Sequence, residues 1–460
     1  MAITPDEVSI LERLKAKLDE TASVDELLLR YFKGQQRIEQ IGLSIPESLR
    51  RFTVVANWPR VVVDTTEHRQ NVRSLILPGE ETADPQLRAI WDASNLSAHL
   101  KMFNRDRMIY GRAFMSVGSS EDNPSLPLVR VESPREMAAL VDVRREVVTA
   151  AARFYGVDEQ TGAAPTNITL YLPNQTVWVQ RRPSDGRWLE VDRDVHNLGA
   201  VPVVMHLNRR MSGGWCGESQ MTDIIPLTDS CARSLTDMQF AQASHGAPRM
   251  WMTGVAQGDF VDTSGKPIPK IEAYFNAVTT LTKESAKVGQ LEAADLKNFE
   301  TAVRLYGTQA ATVTGFPGRY FGLFTTNPPA EGAIRADEAQ LVESVEGQNE
   351  EVGMTVGWVG ALALRFATGE WVEGNRVRVD WFNPATPTVA QQMDATVKAF
   401  QSGIVSREGA WDELGWSEAR KAKERAYFAE QDSADPILTA ARSLTEANQP
   451  EVAGNEPAAS

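Results

Sequence analysis

The sequence predicts an α+β protein that is mostly helical. Runs rich in β-branched residues, separated by turn residues, lie between residues 112 and 209. Apolar residues at 3-and-4 spacing lie in 217–243, in 293–314 and again beyond 387. The chain has 460 residues, too many for one simple core, so several domains are expected.

Composition indicates an ordinary globular protein, with 42% hydrophobic and 23% charged residues. No run of 18 apolar residues occurs, so no membrane span is expected. The N-terminus carries acids where a signal peptide needs an apolar core, so export is not expected. The two cysteines, Cys216 and Cys231, are interpreted as packing residues in a reducing cytosol rather than as a disulfide framework.

The net charge is −14 and the pI is about 5.0. A protein that grips nucleic acid tightly normally has a basic surface, so static DNA binding is disfavoured. Transient or sliding contact with DNA is compatible with this charge, because repulsion prevents a polyanion from sticking.

Sequence motifs of common enzymes are missing. No P-loop, no G-x-S-x-G elbow, no H-E-x-x-H and no C-x-x-C occurs, and the five histidines are scattered. The sequence therefore predicts no cofactor, no metal site and no catalysis. A carboxylate pair can lie among the many Asp and Glu residues, so an enzyme with an unrecognised site stays open as an alternative.

The elements are predicted in order as follows. Residues 1 to 42 are helical, with Ser23 as a possible N-cap, and a helix starts at Asp84-Pro85. The strand-like runs follow and complete an α+β region over 1–212. A long helix is expected within 213–247, where Pro226 is tolerated only near the start or as a kink. An insert with many Gly and Pro residues, 248–290, comes next.

The second long helix, within 291–314, carries a narrow apolar seam. The seam can be the core of a helical domain or a contact in a ring of identical subunits, and both interpretations stay open. Its residues are Leu296, Phe299, Val303, Tyr306, Ala310 and Val313. An aromatic loop, 315–330, a third helix from about 330 to 351 within 331–382, further helices over 383–444 and a disordered tail, 445–460, complete the chain.

Seven motifs between Tyr31 and Ile404, within a match that extends to about Glu418, resemble the portal proteins of tailed bacteriophages, of the siphophage type common in phages of actinobacteria. They are YFKGQQ (31–36), RMIYGRAFMSVG (107–118), VESPREMAALVD (131–142), GAVPVVMHLNR (199–209), GESQMTDIIPLTDSCARSLTDM (217–238), GFPGRYFGLFTTNPPAEGAIRADEAQLV (315–342) and NPATPTVAQQMDATVKAFQSGI (383–404).

The resemblance implies a dodecameric ring at one capsid vertex of the virion, assembled in the host bacterial cytoplasm and without membrane contact. Double-stranded genomic DNA passes through its axial channel on packaging and ejection, while a separate large terminase hydrolyses ATP. Major capsid, scaffolding and head-tail connector proteins are the other implied partners. Its parts are a wing (1–212), two stem helices (213–247 and 291–314), a clip (248–290), a tunnel loop (315–330), a tunnel helix with return to the wing (331–382) and a crown (383–444).

Two sets of residues are the candidate sites under this resemblance. Candidates for touching DNA in the tunnel loop are Arg319, Tyr320, Phe321, Phe324 and Asn327. Candidates for basic rings on the stem are Lys283, Lys287, Lys297 and Arg304. The aromatics can instead pack on the third helix or the next subunit, and the cations can instead form surface or intersubunit ion pairs.

Acidic residues near the stem are expected to repel DNA at short range if they face the channel. They are Glu218, Asp223, Asp229, Asp237, Glu292 and Asp295. Another virion structural or connector protein is the main alternative to a portal, and a cytosolic enzyme is the second.

Overall fold

The computed structural model describes residues 3–36, 54–120, 123, 126–156, 165–182, 188–245, 250–254, 287–290, 297–324, 331–372, 377–385, 389–416 and 418–434. The chain divides into two compact units, Met1–Pro384 and Ala385–Ser460.

The described helices of the first unit are numbered in chain order. They are α1 (Pro5–Lys33), α2 (Trp58–Glu67), α3 (Pro85–Ala93), α4 (Leu96–Tyr110), α5 (Ile225–His245), α6 (Lys297–Thr314) and α7 (Glu331–Thr368). Those of the second unit are α8 (Val389–Gln401), α9 (Arg407–Glu413) and α10 (Glu418–Ala434).

The described strands all pair in antiparallel fashion. They are β1 (Val72–Ile76), β2 (Arg112–Gly118), β3 (Leu128–Glu132), β4 (Met137–Asp142), β5 (Val147–Tyr155), β6 (Asn167–Tyr171), β7 (Thr176–Arg181), β8 (Trp188–Asp194), β9 (Val203–Leu207), β10 (Met250–Thr253), β11 (Lys287–Gln290) and β12 (Arg378–Trp381). The predicted α+β, mostly helical class is confirmed.

The N-terminal helix α1 is continuous, so the prediction of an N-cap at Ser23 is wrong. Its true N-cap is Thr4, which forms a capping box with Glu7, and Gly34 ends the helix in the left-handed region at φ 67°. After Pro5, which is at the first helical position where proline is tolerated, no Pro or Gly occurs before Gly34, and a Ser is tolerated inside a helix. The leucine stripe of α1 packs on one face of the five-stranded sheet β4-β5-β6-β7-β8.

The three-stranded sheet β3-β2-β9 is joined to α4 by a single residue, Gly111, which lies between the end of α4 and the start of β2. Asn208, after β9, donates its backbone N–H to the carbonyl oxygen of Gly111 at 2.9 Å. A Cβ atom on Gly217 would lie 1.8 Å from that same oxygen, so only glycine fits at this crossing. The chain turns here, and α5 therefore begins at Ile225 rather than at residue 217. Pro226 lies in its first turn, as the sequence predicts.

Helices α5 and α6 form an antiparallel hairpin whose far end is a two-stranded ribbon. In the ribbon Met250 pairs with Gln290 and Thr253 with Lys287. The ends of the predicted insert are thus joined, while the rest of it lies outside the described residues.

Helix α7 has 38 residues and extends well beyond the predicted end at 351. Its second half is apolar, and Val352, Val356 and Leu362 are buried in a core with α3, α4 and the β3-β2-β9 sheet. The glycine-rich sequence of this half misled the prediction. A Cβ on Gly360 would make an ordinary van der Waals contact with Leu87 at 3.4 Å, so α3 lies directly against this part of α7.

The second unit has its own aromatic core. The ring of Trp411 stacks on Trp416 and Phe428, with centroids 5.6 and 5.8 Å away. These contacts join α9 to α10.

Candidate functional site

The loop that follows α6 folds back on the helix it leaves. Gly315 ends α6 at φ 70°, and residues Gly318–Phe321 form a 3-10 turn closed by Gly322 at φ 83°. A Cβ on Gly307 would lie 3.3 Å from Leu323, so the small residue in α6 allows the loop to pack closely against it. The described part of the loop is therefore an ordered segment anchored on the hairpin.

Phe321 is a core residue. Its side chain is 5% exposed, and its ring meets Trp58 edge-on with centroids 5.7 Å apart. Phe316, also 5% exposed, lies beside it. Its ring is covered within the subunit by Trp58 of α2, whereas the packing alternative named from the sequence was the third helix or the next subunit. Contact of Phe321 with DNA stays a prediction, and the burial of the ring counts against it.

Arg319 bonds to α7, and Tyr320 bonds to Arg69 in the turn that follows α2. The Arg319 guanidinium pairs with Glu338 and, at 3.4 Å, with Asp337. Its carbon atom Cζ lies 5.4 Å from the centre of the Tyr320 ring. Both side chains are half-buried, so contact with a ligand would compete with these bonds.

Arg69 completes this cluster and was missed by sequence reasoning. Its Nη2 donates to the Tyr320 hydroxyl and to Glu338 Oε1, both at 3.2 Å, and its Nη1 donates to the Pro384 carbonyl at 2.9 Å. Glu338 is 7% exposed and accepts from two arginines, which compensates for the burial of its charge. Arg69 is 250 residues from the loop in sequence, and no local pattern could have indicated this contact.

Phe324 is the exposed aromatic of the loop, with 75% of its surface accessible. It lies at the last described position before 331, so Asn327 lies outside the described residues. An apolar ring this exposed is available to a partner or ligand.

The predicted basic residues are spread along the hairpin. Lys287 is exposed in the ribbon, and Lys297 is exposed at the start of α6. Arg304 pairs with Glu300 one turn away at 3.6 Å, with both side chains largely exposed. Lys283 lies outside the described residues.

Several of the predicted acids already have partners. Asp223 and Glu218 lie 2.9 and 4.0 Å from Arg209, and Asp229 accepts from the Tyr31 hydroxyl at 2.7 Å. Asp237 is exposed, while Glu292 and Asp295 lie outside the described residues.

A row of acids that the sequence analysis missed lies on α7. Glu343, Glu346 and Glu350 are exposed at the 3-and-4 spacing that places them on one side of a helix, and Glu351 is exposed beside Glu350. No Lys, Arg or His occurs in 336–364. Their spacing can be recognised in the sequence. They were missed because only acids near the predicted stem helices were considered as channel residues.

Arg107, in the RMIYGRAFMSVG motif, is fully buried at the junction of α4, β9 and α7. Its guanidinium donates to neutral amide oxygens, at 2.7 Å to Asn208, 2.6 Å to Gln70 and 3.0 Å to Gln348. Burial lowers the pKa of Arg107 to about 9. Arg107 of this motif is thus the centre of a buried hydrogen-bond network that joins α4 to Asn208, after β9, and to α7.

Burial, and then the nearby charge of Arg107, lower the pKa of His206 to about 3. A histidine in such a site is neutral at physiological pH. The ring bonds to the Thr355 hydroxyl at 2.9 Å, which connects β9 to α7.

Metal-binding clusters and membrane-crossing helices are both absent from the described part of the chain. No group of three or more His, Cys, Asp or Glu side chains is placed to hold a metal there. None of the helices in the described ranges combines the length and hydropathy that a bilayer crossing requires.

The fold first defines the class of protein: an α+β, mostly helical chain built on a helix–ribbon–helix hairpin, an anchored aromatic loop and one long helix. Sequence comparison then gives the family. The family model described as "Phage portal protein, SPP1 Gp6-like" matches residues 11–436. The chain belongs to this family of phage portal proteins, which are structural rather than enzymatic.

Two named relatives agree with this assignment. The portal protein of Mycobacterium phage D29 is 31% identical over 415 residues, covering 87% of this chain and 84% of the relative. The portal protein of Mycobacterium phage L5 is 29% identical over 413 residues, with the same coverage. The predicted resemblance to portals of actinobacterial siphophages is confirmed.

Solved structures with some likeness come from gene transfer agent (GTA) particles. A chain from the virion of a native particle has a TM-score of 0.44 and 14% identity, covering 80% of this chain and 93% of its own. A chain from the neck of an empty particle, computed with C6 symmetry, has a TM-score of 0.41 and 14% identity, covering 82% and 94%. At these scores the family assignment rests on the sequence comparisons.

Proposed function

We propose that copies of this chain form a ring of about twelve subunits at one capsid vertex, with an axial channel for the phage genome. Double-stranded DNA enters through this channel on packaging and leaves through it on ejection. The observation that carries the proposal is the family match over residues 11–436. The chain itself performs no catalysis, and a separate large terminase hydrolyses ATP.

The parts of the chain take these roles in the proposal. Residues 1–212 form the wing, and 331–382 contain the tunnel helix and return to the wing. The hairpin of α5 and α6 forms the stem, within 213–247 and 291–314, and 248–290 form the clip. Residues 315–330 form the tunnel loop and 383–444 the crown. The clip is the docking site for terminase and later for head-tail connector proteins, and the major capsid and scaffolding proteins surround the ring. Assembly takes place in the host bacterial cytoplasm.

Phe324 is the residue of the tunnel loop best suited to touch DNA. Its ring is 75% exposed, whereas Arg319 already bonds to Glu338 of α7 and Tyr320 to Arg69, which follows α2. An exposed aromatic ring offers either a stacking face or blunt bulk against the duplex. The anchored part of the loop would hold that ring in place.

The acidic residues on α7 support the proposal that the channel wall repels DNA and does not bind it. A surface with Glu343, Glu346, Glu350 and Glu351, in a stretch of α7 without Lys, Arg or His, repels phosphates at short range, and of these acids Glu351 also interacts electrostatically with the buried Arg107. At physiological salt this repulsion falls off over about 8 Å, so it acts only on DNA close to the wall.

The ring is tested by measuring mass and symmetry together, with light scattering and negative-stain class averages of the purified protein and of emptied particles. A ring of about twelve subunits with a central hole is the expected result. A closed dimer or tetramer without a hole, in both samples, would refute the proposal.

The DNA contact is tested by replacing Phe324 with Ala in the phage. We expect the ring and the capsid to assemble normally, while packaged DNA is lost or packaging slows, because the substitution removes only an exposed ring. Val191→Ala, at a 64% exposed position of β8, is the matched control. Wild-type packaging and DNA retention in Phe324→Ala would rule out a role for this ring.

Two alternatives predict different results. Another virion structural protein would lie away from the portal vertex in labelled particles, and a connector protein, which joins the vertex later, would be dispensable for packaging. An enzyme would show nucleotide hydrolysis or nuclease activity in the purified chain that a single Asp or Glu substitution abolishes.

A further inference from the structure

The turn that follows α2 has a firmly held backbone. The Arg69 N–H donates to the Thr66 carbonyl oxygen at 3.1 Å. The Gln70 N–H donates to the Glu67 carbonyl oxygen, also at 3.1 Å, so the turn is fixed on the end of the helix. The Gln70 side chain accepts from the buried Arg107 at 2.6 Å, and the chain then enters β1, which pairs with β12. Side chains that leave this turn therefore start from a fixed position.

Arg69 uses one guanidinium group to bond to three other segments. Its Nη2 donates to the Tyr320 hydroxyl and to Glu338 near the start of α7, and its Nη1 donates to the Pro384 carbonyl oxygen. Pro384 is the last residue of the first unit. The Arg69 side chain is only 9% exposed, so a donor that lost its acceptor would gain little hydration in return. The guanidinium therefore favours the arrangement in which all three acceptors are in place.

The segment 382–384 is bound to the same turn by two further contacts. The Phe382 N–H donates to the Asn71 carbonyl oxygen at 2.9 Å. The Arg73 guanidinium lies over the Phe382 ring, with its Cζ 5.1 Å from the ring centre. A displacement of this segment therefore acts on the turn that carries Arg69.

Tyr320 connects Arg69 to the exposed ring of the loop. It lies in the 3-10 turn Gly318–Phe321, and Phe324 follows that turn by three residues. The Leu323 N–H donates back to the Gly318 carbonyl oxygen at 3.1 Å, which makes the turn and the residue before Phe324 one compact piece. The bond to the Tyr320 hydroxyl therefore helps to fix the point from which the Phe324 ring projects.

We propose that Arg69 is a positioning residue that couples the place of Phe324 to the segment 382–384. When this segment shifts, Nη1 follows or loses its acceptor, and the bonds of Nη2 to Tyr320 and Glu338 change with it. The inference rests on the proposed function for its role in a DNA channel. There it makes the contact between the loop and DNA depend on the segment through which the chain leaves the first unit.

The test measures the mobility of the loop in the full-length chain without DNA, so that direct contact with DNA does not contribute. A nitroxide spin label is attached at Phe324→Cys in a Cys216→Ser background, and EPR spectra give the ratio of mobile to immobile label. The remaining cysteine, Cys231, is buried. Position 324 is suited to a label because its native side chain is 75% exposed.

The first comparison removes one hydroxyl group. In Tyr320→Phe we expect the ratio of mobile to immobile label to rise about fivefold, because the loop loses one hydrogen bond to Arg69. Tyr31→Phe is the matched control, since it removes a tyrosine hydroxyl bonded to Asp229 at 2.7 Å, and should leave the label unchanged. An unchanged label in Tyr320→Phe, or an equal rise in Tyr31→Phe, would overturn the inference.

The second comparison is a double-mutant cycle that isolates the coupling. Pro384→Gly loosens the acceptor of Arg69 Nη1 and should also raise the mobile fraction at position 324, although it lies in another segment. In an Arg69→Gln background, Pro384→Gly and Tyr320→Phe should each have no further effect. Effects that add in that background would show that Arg69 does not connect the two segments.

The coupling and the proposed function fail in different ways. A ring that forms in solution while the label ignores these substitutions would overturn the coupling and leave the proposed function standing. If the wild-type chain forms no ring in solution or in particles, the proposed function fails, and the role of Arg69 in a DNA channel fails with it.

Discussion

At the scale of single residues, two aromatic side chains of one short loop have opposite environments. Phe321 is 5% exposed and packs on Trp58, while Phe324, three residues later, is 75% exposed. No rule of spacing separates them in the sequence, since both lie in a Gly-rich loop with aromatics. The difference arises because the 3-10 turn directs Phe321 toward α2, which is distant in sequence.

Replacement of the two rings by Ala should therefore have different effects on stability. Phe321→Ala removes a buried ring from a packed core and should lower the free energy of unfolding by about 3–5 kcal/mol. Phe324→Ala should change it by less than about 0.5 kcal/mol. Urea unfolding of both purified variants gives the comparison, and equal stability of the two would contradict the burial of Phe321.

His206 should make folding depend on pH. Its folded pKa is about 3, below the unfolded value near 6.5, so the folded state binds fewer protons between these values. The stabilisation from neutral His206 is complete above pH 6.5 and is lost as the pH falls, by about 1.4 kcal/mol per pH unit. The expected difference between pH 7.5 and pH 5.5 is therefore about 1.4 kcal/mol.

Asp106 acts with the opposite sign, because burial raises its carboxyl pKa to about 7. The folded state therefore gains protons at Asp106 as the pH falls below 7, which favours folding. The measurement is the pH slope of stability in wild type minus that in His206→Gln, from urea unfolding at both pH values. A difference of zero would show that His206 is protonated equally in both states.

At the scale of elements, the sequence predicted helices well where caps or apolar periodicity marked them. The capping residues before α3 and the seam of α6 led to the correct helices. The errors lie where tertiary contacts overrule local signals: α1 passes through Ser23, and α7 continues through glycines that a helix avoids in isolation. In the candidate site, the exposure of Phe324 and the contacts of Arg69 depend on long-range packing and could not be predicted.

The junction before α5 should depend strictly on Gly217. Its α-hydrogens face the Gly111 carbonyl oxygen, and an added Cβ would lie 1.8 Å from that oxygen. Gly217→Ala should destabilise the chain by about 3 kcal/mol or more, because backbone on both sides must shift. Gly213→Ala is the control, since a Cβ there meets nothing within 4 Å. Thermal unfolding of the two variants tests this, and similar melting temperatures would contradict the described crossing.

At the scale of the whole molecule, the family could be identified from ordered motifs, whereas the surfaces that join subunits could not. One motif residue, Arg107, is buried and bonds to three segments that are distant in sequence. Few other residue types could replace it there. Contacts between subunits depend on which faces the fold leaves exposed. Periodicity alone could not decide whether the seam of α6 is core of the subunit or a contact in the ring.

Assembly of the proposed ring should respond to salt. Copies with a charge of −14 repel one another, and the Debye length falls from about 30 Å at 0.01 M to about 8 Å at 0.15 M ionic strength. The fraction of chains in rings should therefore rise with salt over this range at fixed protein concentration, as measured by mass photometry. A fall would indicate that ion pairs, rather than uncharged surfaces, dominate the subunit contacts.

The ribbon at the end of the hairpin has a consequence for how such proteins diversify. Because Thr253 is paired with Lys287, the two ends of the intervening sequence are fixed close together whatever lies between them. For a flexible insert between these two ends, a change of length costs a loop-closure free energy of only about 0.6 kcal/mol for each doubling. Under the proposed docking role of 248–290, the hairpin can thus carry exchangeable inserts, and docking specificity can evolve there without redesign of the subunit.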